Sequence, residues 1–170
     1  MFENDYTING KHATYLKYMV IDAKIFTRYI DVYMNAAVWG LLYGRNSQKD
    51  PSADRARIYA DAFANERENC VFLYRLTMML DESTPLTPVE RVDRTFRDDA
   101  QNGSKEKLSA NLEIFHGYVL GGIEVLYERY IDGCTTQNDY LSRIHELMST
   151  FKDEISGISY EDKLAKLMNG

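Results

Sequence analysis

Apolar residues recur at steps of three and four along most of this chain, the spacing that gives one side of an α-helix. From about Ala13, the series Tyr15, Leu16, Met19, Val20 and Ala23 runs on to Phe26, Ile30, Tyr33, Ala37 and Leu41, ending at Gly44, a natural C-cap. One long helix or two fit this stretch, with a break near Ile21–Asp22. Residues 45–53, RNSQKDPSA, read as a polar loop carrying Asp-Pro. A second long helix is predicted from Ser52 or Asp54 to Leu80. Its stripe is Tyr59, Phe63, Glu66, Cys70, Leu73, Thr77 and Leu80, apolar except at Glu66 and near Asn69.

Thr87-Pro88-Val89-Glu90 is a capping box with proline at the first helical position, opening a short helix to about Asp99. On it Val89, Val92 and Phe96 gather on one side, and Arg91, Arg94 and Arg97 spread over the other. Asn102-Gly103 breaks the chain, and Ser104 is placed to cap a third long helix reaching Ile131. That helix has two adjoining apolar strips, Leu108-Leu112-Phe115-Val119-Leu126 and Leu120-Ile123-Tyr127-Ile131, an arc wide enough to need partners all round. Thr136 opens a further helix to about Ile155, and residues 159–168 read as a short terminal helix. Residues 1–11 read as an irregular lead-in, and no segment stands out by strand alternation. The pattern predicts an all-α fold, one domain over 1–170, built as a bundle of four or five main helices with short connections.

Totals narrow the function classes. The chain has 170 residues and a net charge of −6, and neither end of it is basic overall, which argues against a bulk affinity for nucleic acid or anionic membrane. Nine of its eleven arginines nevertheless lie before residue 100, so a local basic face stays open. Cys70 and Cys134 are too few for a disulfide framework and read as free thiols. The longest apolar run, Ala36–Leu42, is far short of the about 20 residues that a membrane span needs. A polar N-terminus lacks the apolar segment of a secretory signal, and the expected location is cytoplasmic.

Candidate chemistry is sparse. Glu113 and His116 form an E-x-x-H, which sets a carboxylate and an imidazole on one helix face. Di-metal bundle sites use two such pairs and two further acids. No second pair exists, and Glu66 is the one further acid on a buried stripe; Glu66, Glu113 and His116 therefore make a mononuclear metal or catalytic alternative, while the expectation is no metal and no cofactor. Glu66 is more simply paired with an arginine or a tyrosine hydroxyl at a helix contact. Arg91, Arg94 and Arg97 offer forked donors to phosphate, against the reading of a solvated face neutralised by Glu90–Arg94 and Asp93–Arg97. Gly117 and Gly121-Gly122 lie within an apolar helix, where glycine costs about 1 kcal/mol relative to alanine; either a second helix approaches closely or the helix kinks.

The expectation that follows is a non-catalytic helical interaction protein, a homodimer or a small subunit of a larger assembly. Its interface is placed at Gly117, Leu120, Gly121, Ile123, Tyr127 and Ile131, where an apolar strip would otherwise face water. An accessory nucleic-acid protein using the arginine face is the first alternative, and the bundle metalloprotein or enzyme the second.

Overall fold

The computed structural model describes residues 1–98 and 104–156; the terminal helix expected over 159–168 lies outside the described residues. The chain divides into two compact units, 1–132 and 133–170. In the first, the element order is β1 (Tyr6–Asn9), α1 (Gly10–Lys17), a π-helical turn (Tyr18–Asp22), α2 (Tyr29–Leu42), β2 (Arg55–Ile58), α3 (Ala60–Asn65), α4 (Arg67–Leu80), α5 (Pro88–Phe96) and α6 (Lys105–Tyr130). The second unit holds α7 (Gln137–Ser156), whose start is closed by the Asp139 carboxylate accepting from the Thr135 and Thr136 amides at 3.0 and 2.7 Å.

The fold is mostly helical, with one correction: part of the lead-in and part of the predicted second helix are strands. β1 and β2 pair antiparallel, Tyr6 opposite Ile58 and Ile8 opposite Ala56, and bury Ile8, Ala56 and Ile58. Four residues apiece give two inward positions per strand, too few to separate period two from period 3.6. The helix expected from 52 or 54 therefore starts at Ala60, and it breaks again at Glu66 between α3 and α4. The stretch from Ala13 to Gly44 is interrupted after the π-turn, where Ala23 donates its amide to the Tyr18 carbonyl and Lys24 turns left-handed at φ +53°.

Local signals at helix ends hold. Thr87 Oγ1 accepts from the Glu90 amide while the Glu90 carboxylate accepts from the Thr87 amide at 2.8 Å, closing the capping box of α5. Ser104 Oγ accepts from the Lys107 amide at 3.1 Å and starts α6.

α2 and α6 pack along each other and form the centre of the first unit; α4 packs on both, and α5 on α4. An aromatic cluster fills the core, with Tyr33 edge-on to Phe63 at 5.2 Å and Tyr74 edge-on to Phe115 at 5.8 Å. The α2–α6 crossing is made by glycines on both sides. A Cβ on Gly122 would stand 1.8 Å from the Ala36 carbonyl oxygen, and one on Gly40 1.9 Å from that of Tyr118. The close approach of a second helix holds at Gly122, while Gly117 and Gly121 lie against residues 45–46 beyond the end of α2, and the helix runs without a break through 121–122.

Candidate functional site

The site begins at the C-terminus of α4. Asp81 follows the helix and is fully buried, so its carboxylate needs partners or costs several kcal/mol. Three side chains meet it: Tyr118 Oη donates at 2.7 Å, Ser83 Oγ at 2.5 Å and Arg94 Nη1 at 2.9 Å. Burial works to raise the Asp81 carboxyl, and these bonds outweigh it, holding the group below the ordinary carboxylate range. Arg94 also donates to the Met78 carbonyl at 2.6 Å, and Arg91 donates to the Asp81 carbonyl.

This network sets the rotation of α5. Arg94 and Thr95 face inward, and the apolar side of the helix is turned out. Val89 is 70% exposed, Val92 44% and Phe96 48%. The expected arrangement of a solvated arginine face is therefore corrected: Arg94 is buried in an ion pair, Arg91 is part-buried against carbonyls, and only Arg97 lies out in solvent, paired to Asp93 at 2.8 Å. Arg94 pairs with Asp81 rather than Glu90, whose carboxylate serves the capping box.

Beside the outward stripe of α5 lies a hollow of about 710 Å³. Its floor and walls are Val71, Phe72, Leu76 and Met79 of α4, with Phe96 of α5 closing one side and Arg67, Glu68 and Arg75 at its margin. The Arg75 guanidinium sits over the Phe96 ring, 5.4 Å from its centre. Phe72, 63% exposed, also lines a second hollow of about 260 Å³ that reaches Met34 and Val38 of α2. Phe72 of α4 and Val89, Val92 and Phe96 of α5 are thus apolar side chains left to solvent on two helices that pack together.

The strip expected to be the interface is placed differently. Leu120, Ile123 and Ile131 are buried, and Tyr127 stacks on Tyr15 with ring centres 3.9 Å apart. Gly117 lies against the Asn46 side chain and Gly121 against the Arg45 backbone. The chain's own α1, α2 and 45–50 loop cover α6 where a partner was expected.

The metal alternative is not assembled. Glu66 accepts from Arg28 and from Asn69, both at 2.9 Å, and those bonds, Asn69 first, hold its carboxyl below the ordinary value. Glu113 pairs with Lys49 at 2.8 Å, and His116 stacks on Tyr6 with ring centres 4.0 Å apart. Burial pushes the His116 imidazole down to about 4, so it is neutral near pH 7. Among the described residues, no group of three or more histidine, cysteine or acidic side chains is placed to hold a metal ion.

One polar centre escaped the sequence reading. Glu124, buried toward the C-terminal end of α6, accepts from His12 Nε2 at 2.8 Å and pairs with Lys11 at 2.9 Å and Arg45 at 2.8 Å. Burial would raise its carboxyl, but hydrogen bonds from Lys11, His12 and Ser47 hold it low. For His12 burial wins instead: it lowers the ring's pKa more than Glu124 raises it. Its signal in the sequence was a lone acid in line with Gly117 and Gly121, inside a helix otherwise apolar over most of its arc. The cluster ties α1 and the loop after α2 to α6. Each of its charges has a partner.

Comparison with known protein families, with curated proteins and with solved structures gave no match. Among the described residues, no helix is long and apolar enough to cross a membrane.

Proposed function

We propose that this chain is a non-catalytic helical interaction protein that docks through the α4–α5 face, as a homodimer or as the small subunit of an assembly. The observation that carries the reading is the inverted packing of α5: a helix that buries Arg94 and exposes Val89, Val92 and Phe96. An isolated exposed valine needs no explanation. A helix with its whole apolar stripe outward, beside a hollow walled by Phe72, Leu76 and Met79, has a surface suited to a helix laid in a groove.

The charged residues support the same reading. Arg91 and Arg94 are committed to carbonyls and to Asp81, which leaves little of the arginine face to grip phosphate. The acids and histidine of the metal alternative are likewise engaged with Arg28, Lys49 and Tyr6.

Native mass spectrometry of the chain purified from its own cells tests the proposal. The expected result is a stoichiometric complex, with itself or with another protein, that disappears in the Phe72→Glu variant while the far-UV circular dichroism is unchanged. A chain recovered wholly as monomer, or a complex indifferent to Phe72→Glu, overturns it.

A further inference from the structure

We infer that the seam between α1 and α6 is an acid-released latch: a proton taken up by His12 breaks its bond to Glu124 and unseats α1 from α6.

The seam has two rungs. His12 and Tyr15 lie three residues apart on α1, as Glu124 and Tyr127 do on α6, so each helix presents its pair on one face. His12 Nε2 meets Glu124 Oε1 at 2.8 Å, and the Tyr15 ring stacks on that of Tyr127 with centres 3.9 Å apart. Lys11 adds a bond to the same carboxylate at 2.9 Å. Arg45, its partner from outside α1, is held elsewhere: the Arg45 amide donates to the Gly40 carbonyl at 2.8 Å, and the Ser47 amide donates to the Gly117 carbonyl at 2.9 Å. α1 in turn is tied to residues 50–54, by the Lys11 amide donating to Asp50 at 2.7 Å and the Thr14 hydroxyl to Asp54 at 2.8 Å. His12 thus bridges two sets of contacts, each closed by bonds of its own.

The Glu124 carboxyl is held low and is ionised at neutral pH, so it only accepts; the neutral ring carries its proton on Nε2 and leaves Nδ1 bare. His12 is 0% exposed, and Nδ1 is buried with no hydrogen-bond partner. A second proton has only Nδ1 to go to. There it makes a buried N–H without an acceptor, and a third cation, with Lys11 and Arg45, on one carboxylate. Burial opposes the charged ring most strongly and Lys11 adds to it; Glu124 and Asp50 favour it, and the balance lies below the ordinary 6.5. The other elements packed on α1 bring no further charge to the ring. β1 has Tyr6 alone, whose hydroxyl burial pushes up; Arg55 and Arg57 of β2 are exposed, and Asp31 of α2 pairs with Arg28. On α6, Glu128 is held by Arg45 at 2.6 Å. Once α1 is unseated, His12 returns to its ordinary pKa. The closed seam is therefore fully favoured above about pH 6.5, and below it the opening constant grows by up to about tenfold per pH unit.

Solution NMR of the full chain at falling pH tests the inference. The ring-to-ring contact of Tyr15 with Tyr127 reads the seam, and the His12 ring shifts read the proton. The expected result is a contact present at about pH 7.5 and lost by about pH 5, with the protonated ring of His12 seen only where the contact is lost. His12→Gln keeps a donor for Glu124 and cannot take up a proton, so it should hold the contact through the same range. His116→Gln should lose the contact as the parent chain does, which separates the seam from the stability that the His116 ring supplies. Should His12→Gln fail to fold, the parent chain decides alone, because its two readouts must change together. A His12 ring that charges while the contact stays overturns the inference. So does a contact that persists to about pH 5 in the parent chain, one lost equally in His12→Gln, or one whose loss His116→Gln abolishes.

Discussion

α5 and α6 use the same currency of apolar and charged residues in opposite ways. α6 is apolar over a wide arc and yet leaves almost none of it to solvent, because α1, α2 and the 45–50 loop close over it. α5 has a narrow, well-separated apolar stripe and points it outward. The difference is made by one buried carboxylate in each case. Glu124 draws Lys11, His12 and Arg45 onto α6 from outside the helix, and so brings covering elements with it. Asp81 draws Arg94 from α5 itself, and so rotates that helix until its valines face water. An amphipathic pattern states that a helix has two sides. Which side is inside depends on the neighbours, and a buried charge can outweigh three apolar side chains.

Breaking the Asp81–Arg94 pair is the severest test of this contrast. Arg94→Leu leaves Asp81 buried without its cation and is expected to cost about 4 kcal/mol in urea unfolding. Most of the loss should reappear as released α5, read by faster amide exchange over residues 88–96. A loss below about 1 kcal/mol would mean that the ion pair does not hold the helix. The α2–α6 crossing comes next. Gly122→Val places side-chain carbons where the Ala36 carbonyl stands and is expected to cost about 3 kcal/mol through overpacking.

The pH dependence is smaller and has a definite sign. His116 has its pKa lowered from 6.5 to about 4 in the folded chain, so the unfolded chain binds a proton that the folded one resists. The stability held by the neutral ring is complete above pH 6.5 and is lost as pH falls toward about 4, by at most about 3 kcal/mol. His12, lowered in the same direction by burial, adds to the slope. His116→Gln should flatten the decline between those pH values without removing it; an unchanged slope would show that His116 is not its source. The smallest effect is expected on the exposed face: Phe72→Glu and Val92→Glu should change the stability of the isolated chain by no more than about 0.5 kcal/mol. A large loss there would mean the face is part of the core.

These contrasts mark what could be read in advance. The capping box of Thr87, the Ser104 cap and the span of α6 were legible, because each depends on residues within one or two turns of the chain. The glycines of α6 were legible as a sign of close approach, but not as an approach by α2 rather than by another copy, since Ala36 and Gly40 are distant in sequence. β1 and β2 were missed because each is only four residues long and gains its partner about fifty residues away. Arg94 was misread and Glu124 passed over. Arg94 was judged by its immediate neighbours, while the partners of both, Asp81 and His12, belong to other elements. On the candidate site, the apolar side of α5 was seen but the opposite, arginine side was read as the solvated face, which is the error that a rotation of half a helix produces.

The His12–Glu124 bond spans 112 residues of chain. At about 5–20 residues per second of synthesis, His12 leaves the ribosome roughly ten seconds before Glu124 exists. Through that interval α1 can pack on β2, but its α6-facing side and the glycine face of α2 stay uncovered. The centre of the first unit therefore cannot close from the N-terminal side forward; it must wait for α6 and then close around it.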